Sequence, residues 1–211
     1  FPTFVFVATI SITFIFSLMQ KYLLLLSLLL LISFSPNQFI LAQTSKSPLE
    51  FFGFEPGSDR NLINYNQLID YFKQLDQASP RIQLREIGES PMGKKMYIAF
   101  ISSPANIEKL DRYKEINRNL ALDWQLRDSE RDSLIAEDRV FVLATLSMHS
   151  NEVGPSQASP QIAFTLANTQ DPELLKCLDN VVFMVVPCHN PDGMQMVVDN
   201  YLKYKGTIYE G

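Results

Sequence analysis

The chain has 211 residues, 46% of them hydrophobic and 19% charged, with a net charge of -5. That length suits one domain with a sizeable core, or one domain and a leader. Two cysteines are too few for a disulfide scaffold, the acidic balance offers no basic face for nucleic acid, and 11% aromatics argue against a disordered chain.

Charge is unevenly placed along the chain. Of 18 basic and 23 acidic residues only Lys21 lies in the first 42, so residues 43–211 carry 17 against 23, a net -6. Met19-Gln20-Lys21 reads as a translation start with a short basic region, Tyr22–Phe34 as an apolar run, and Ile40-Leu41-Ala42 as a cleavage position before polar Gln43. Residues 1–42 are therefore expected to be an apolar leader with a signal peptide over 19–42, and residues 43–211 a secreted or periplasmic domain. The chain begins with Phe1, and residues 1–18 read as translated upstream sequence. The two apolar runs, about 15 and 13 residues, fall short of the roughly 20 that span a bilayer, so a membrane is a partner only through an uncleaved leader.

Beyond the leader, Ser47–Arg60 reads as a loop rich in Pro, Gly and Phe. Leu68, Tyr71, Phe72 and Leu75 recur at helical spacing, and Ser79-Pro80 stops that helix. Ile82–Ile87 alternates as a strand, Gly88–Gly93 is turn material, and Met96–Ser102 is a second strand, together an antiparallel hairpin. Ile107, Leu110, Tyr113, Ile116 and Leu120 mark a helix started by Ser103-Pro104. A short surface helix is expected around Arg131–Glu137. Val140–Leu146 is a continuous apolar run, expected to be a strand covered on both faces. Residues 155–168 look helical, with Pro160 confining the regular part to its C-terminal side or kinking it. Asn180–Pro187 is a second covered strand, Asn190–Gly193 a turn, and Met194–Tyr204 a weak helix.

This order is an α/β pattern, and two covered strands joined by a helix imply a parallel crossover. Sites in such sheets lie beyond the carboxyl ends of the strands, and both histidines, His149 and His189, fall at such ends. His149-Ser150-Asn151-Glu152 places an imidazole and a carboxylate three residues apart in a turn leading to a helix. Zn²⁺ takes N and O donors of this kind, with a catalytic site using three protein ligands and a water. The spacing alone equally suits a histidine hydrogen-bonded to a neighbouring acid.

Several segments, in order, resemble the zinc carboxypeptidases of peptidase family M14. They are Tyr65–Leu75 with Arg81–Ser90, then Met92-Gly93-Lys94-Lys95-Met96-Tyr97 with Lys94 at a usual arginine, then Met148–Glu152, and finally Val185-Val186-Pro187 followed by Asn190-Pro191-Asp192-Gly193. An HxxE and an NPDG some 40 residues apart, each after an apolar strand, are together far more specific than either alone. The resemblance implies a mixed sheet flanked by helices and a zinc-activated water attacking a peptide carbonyl of a peptide or protein substrate. It maps His149 and Glu152 onto the first two zinc ligands. The family's third ligand, its carboxylate-binding Asn-Arg pair, its tyrosine and its general-base glutamate lie far downstream, so the catalytic base is expected beyond Gly211. The 211 residues alone are accordingly expected to be an inactive N-terminal part of the catalytic domain. Asn151 stands where the digestive members carry a substrate-contacting arginine; asparagine hydrogen-bonds a carbonyl but supplies no cationic fork.

Two other readings remain at this point: an amidase or deacylase on the same scaffold, and a non-catalytic secreted binding module. His189 is weighed as a third ligand against a surface histidine or one that supports a ligand, and the latter is favoured. Asp192 is expected to hold its own turn through an Asx-type bond. Tyr201, Tyr204 and Tyr209 read as packed side chains rather than as a wall of the site. Cys177 and Cys188 read as small buried hydrophobes in preference to a disulfide. N-terminal sequencing of the exported protein is expected to begin near Gln43; a membrane-bound product retaining Tyr22–Phe34 would show an anchor instead.

Overall fold

The computed structural model describes residues 45–210; the leader and its expected cleavage site lie outside the described residues. Ser47 opens a short helix, α1 (Pro48–Phe52), where a loop was expected. Its hydroxyl caps Glu50 N–H, the Glu50 carboxylate returns the bond to Ser47 N–H, and Pro48 sits in the first turn. The helix aims Phe51 and Phe52 at Tyr71, both with ring centroids 5.2 Å from it.

Tyr71 belongs to α2 (Tyr65–Ala78), capped by Asn64 and Gln67. One stripe of α2 is buried: Tyr65, Leu68, Ile69, Tyr71, Phe72 and Leu75. These side chains pack on Ile82, Ala99, Ile101, Val185, Met194 and Val198 to form the main core. Burial first, and the nearby Glu50 carboxylate second, hold the Tyr71 phenol above its ordinary pKa, and its hydroxyl donates to the Lys46 carbonyl at 3.1 Å.

The sheet has four strands in the order β1-β2-β4-β3. They are β1 (Ile82–Glu89), β2 (Lys95–Ile101), β3 (Val140–Thr145) and β4 (Val181–Val186). β1 and β2 form the expected antiparallel hairpin, with an irregularity between Glu86 and Gly88. β4 pairs antiparallel with β2 and parallel with β3, so the sheet is mixed. Alternation along β2 divides the faces. Ala99 and Ile101 join the core under α2, whereas Ile98 and Phe100 point to the opposite side with Phe141 and Met184.

That opposite side is served by α3 (Pro104–Ile107) and α4 (Leu110–Leu122), a pair interrupted at Glu108-Lys109 where one helix was expected. Asn106 ties them down. Its amide donates to the Ser102 hydroxyl and the Leu178 carbonyl, both at 3.0 Å, and its oxygen accepts from Tyr113 at 2.9 Å. Helix α5 (Asp128–Glu137) buries nothing and is held at its end by the Arg112–Glu137 ion pair.

Three further expectations are corrected. β3 is not covered on both faces: it is an outer strand of the sheet among the described residues, and Val140, Val142 and Leu143 are exposed. A continuous apolar run reads the same whether its neighbours are present or not. Helix α6 (Val153–Asn168) starts before Pro160 and runs through it, so the regular part is not confined to the C-terminal side of the proline. The proline removes the amide that would bond Ser156 O, and the Ser159 hydroxyl takes that carbonyl at 2.9 Å. A nine-residue segment with no helical signal assigned in the sequence forms α7 (Pro172–Asn180), capped by Asp171. Cys177 on α7 is exposed rather than buried, Cys188 is buried, and both are free.

Phe72→Ala empties a fully buried ring site and is expected to lower unfolding stability by about 3–5 kcal/mol in urea denaturation, against less than about 0.5 kcal/mol for exposed Lys176→Ala.

Candidate metal centre

The ends of β3 and β4 continue as two loops bonded to each other. Leu146 N–H donates to Val186 O at 3.1 Å, His189 N–H to Leu146 O at 2.6 Å, and Asn190 N–H to Ser147 O at 3.2 Å. Ser147 adopts φ 49°, a left-handed conformation that costs a non-glycine residue about 1–2 kcal/mol. The turn this produces carries His149 outward. Glu152 N–H then donates to His149 O at 3.1 Å, closing the loop.

His149 and Glu152 converge. Nδ1 of the imidazole stands 2.9 Å from Oε2 of the carboxylate, which also accepts the His149 N–H at 3.2 Å. The imidazole hydrogen bond first, and the backbone amide second, hold the Glu152 carboxyl below its usual pKa. The stabilisation this carboxylate gains is therefore present above the ordinary carboxylate range and is lost as pH falls through the depressed value. With side chains 69% and 53% exposed, both groups face solvent. Two ligands of a tetrahedral Zn²⁺ at 2.0–2.2 Å stand roughly 3.3 Å apart, so the pair would have to open slightly to hold such an ion. One nitrogen and one oxygen donor fit zinc chemistry, and no group of three His, Cys, Asp or Glu is assembled among the described residues. His189 is exposed, and its backbone amide, not its imidazole, bonds the β3 end. Asn151 is exposed between the two donors.

Asn190-Pro191-Asp192-Gly193 is less a turn than the start of helix α8 (Pro191–Tyr204). Asn190 is its N-cap, with the side-chain oxygen accepting from Gly193 N–H at 2.9 Å. Asn190 thus makes the Asx-type bond expected of Asp192. Asp192 instead reaches the β1–β2 turn, accepting from the Ser90 hydroxyl at 2.7 Å and Met92 N–H at 3.1 Å. Sequence spacing held no signal for a contact between residues 102 apart. Gly193 lies against the His149 loop: a Cβ there would sit 2.5 Å from Ser150 Cβ and 2.7 Å from the Asn190 amide nitrogen. Tyr201, Tyr204 and Tyr209 line a cleft of about 510 Å³ at the far end of α8, with neither His149 nor Glu152 in its lining.

Zinc carboxypeptidase sequences, as the profile of peptidase family M14, match residues 68–207, a stretch that contains both strand-end loops. The chain belongs to the zinc carboxypeptidase family. No match is found among curated protein sequences. Among solved structures the chain is similar to carboxypeptidase A from Helicoverpa armigera, at 14% identity and a TM-score of 0.45, over 75% of this chain and 32% of that one. It is also similar to thrombin activatable fibrinolysis inhibitor, at 11% identity and a TM-score of 0.42, over 65% of this chain and 27% of that one. The chain therefore spans about a third of the length of these solved proteins. The HxxE and NPDG segments of this zinc carboxypeptidase family member are neighbours in space.

Gly193→Ala is expected to destabilise the protein by about 1–3 kcal/mol, because backbone or Ser150 must yield. Gly154→Ala, with open space around its Cβ, is expected to be neutral or stabilising by about 0.4–1 kcal/mol. Paired thermal and urea melts read the contrast.

Proposed function

We propose that the chain supplies the first two zinc ligands, His149 and Glu152, of an exported zinc-dependent hydrolase of carboxypeptidase type. The observation that supports this most directly is the convergence of His149 Nδ1 and Glu152 Oε2 at 2.9 Å, at the end of β3 and inside the region matched to the family. Bound zinc would supply a water of pKa near 7 and polarise the scissile carbonyl. The chain's own contribution is to present one neutral nitrogen and one anionic oxygen from a loop whose backbone is closed by its own hydrogen bonds. The carboxylate, already held below its usual pKa, is ionised throughout the neutral range. Asn151, exposed between the ligands, offers an amide to a substrate carbonyl or amide. Export follows from the reading of residues 19–42 as a signal peptide.

Asn151 favours one second reading. An uncharged amide at this position supplies no cationic fork to the substrate, which also suits an amidase or deacylase using the same metal pair. Peptide and N-acyl substrates assayed side by side separate the two.

In the full-length protein, His149→Ala is expected to abolish stoichiometric zinc and hydrolysis, and Glu152→Ala nearly so. His189→Ala is expected to keep its zinc. Asn151→Ala is expected to keep zinc and raise KM. Metal analysis by plasma emission, with steady-state kinetics, distinguishes the four variants. Full zinc occupancy in His149→Ala would sink the assignment.

A further inference from the structure

In seven of the eight described helices the N-cap carbonyl accepts the amide four residues on, as in Leu68 N–H to Asn64 O and Met194 N–H to Asn190 O, both 3.0 Å. Helix α6, whose N-cap is Glu152, lacks this bond. The Ser147 hydroxyl occupies the gap. It donates to the Glu152 carbonyl at 2.6 Å and accepts Ser156 N–H at 3.2 Å, standing between the two groups that would otherwise bond each other. Glu152 sits at φ -85° and ψ 55°, away from the extended conformation of the N-caps Ser47, Asn64 and Asp171.

The inserted hydroxyl is itself held. Ser156 Oγ lies 2.6 Å from Ser147 Oγ and 2.6 Å from the Pro187 carbonyl at the end of β4, and has one hydrogen to give to one or the other. Ser147 and Ser156 are both buried, at 4% and 0% exposure, while the ligand pair they support is open to solvent. A buried hydroxyl pair thus fixes the backbone at Glu152, and through it the carboxylate that meets His149.

We propose that Ser147, seated by Ser156, is the positioning residue of the metal pair: its hydroxyl opens the first turn of α6 and sets the direction of the Glu152 carboxylate. This rests on the zinc reading above and adds residues that no ligand motif contains. The left-handed backbone of Ser147 aims its side chain into the helix start rather than at solvent. Residues that orient metal ligands contribute about 10–100-fold to metal affinity.

The test is Zn²⁺ affinity of the full-length protein, measured by competition with a chromophoric chelator, alongside the melting temperature. Ser147→Gly keeps the left-handed backbone without strain and deletes only the hydroxyl, so it should fold; its zinc affinity is expected to fall about 10-fold. Ser156→Ala is expected to weaken zinc similarly. The double variant should lose no more than the weaker single, because both act through one hydroxyl. Ser102→Ala, which removes a buried hydroxyl bonded to the Leu178 and Val181 carbonyls, should lower the melting temperature and leave zinc affinity unchanged. Wild-type zinc affinity in Ser147→Gly, or losses that add in the double variant, would overturn the positioning role alone. A wild-type protein that binds no zinc, or a His149→Ala variant that binds it fully, would overturn the metal centre and this role with it.

Discussion

The parallel pairing of β3 with β4 is the constraint on which the candidate centre depends. Six residue pairs, from Val140 with Val181 to Thr145 with Val186, bring two strand ends to one edge of the sheet in a fixed register. The pairing does not stop with the strands. Leu146, Ser147, His189 and Asn190 carry it on as backbone hydrogen bonds between loops, so the segment bearing His149 is registered against the segment that starts α8. Slippage by one residue would turn every side chain on β3 to the other face and carry the His149 loop with it.

Around that register three distant pieces of chain close. Gly193 leaves room for Ser150 to lie against the helix start, since any side chain there would meet it at van der Waals overlap. Asp192, one residue earlier, accepts from Ser90 and Met92 and so fastens the hairpin turn to the same helix. Ser156 reaches from α6 to the end of β4. The hydrogen bonds among these contacts all use side-chain oxygens, as suits the rim of a sheet where apolar packing ends. The apolar work is done below, by α2 on β1, β2 and β4.

The polar side chains at the rim divide by exposure. His149 and Glu152 face water, where a lone ion pair contributes little to stability and the proposed ligand pair would be reachable. Ser147 and Ser156 are buried and fully occupied with bonding. On the other side β3 is an outer strand, with Val140, Val142 and Leu143 exposed. Within the described residues the centre therefore stands beside an open strand edge.

Much of this was legible in the chain. Period 3.6 marked α2 and α4, alternation and glycine marked the hairpin, and apolar runs marked β3 and β4, because each pattern follows from local backbone geometry. The spacing of His149 and Glu152 and the Asn-Pro-Asp-Gly segment carried the family resemblance. What the chain did not reveal was set by contacts between residues far apart. β3 reads as doubly covered because an apolar run records what a strand prefers, not which neighbours it has. Pro160 reads as a helix limit or a kink because its missing bond is visible in sequence, whereas the Ser159 hydroxyl that bonds the freed carbonyl is not. Asp192 reads as the holder of its own turn, yet only the folded hairpin brings Ser90 to it. The sequence by itself determined which elements form and which donors stand three residues apart. Tertiary structure alone decided that Ser147 turns left-handed and that its hydroxyl enters α6, because that hydroxyl is seated by a helix residue and a strand-end carbonyl that no local pattern brings together.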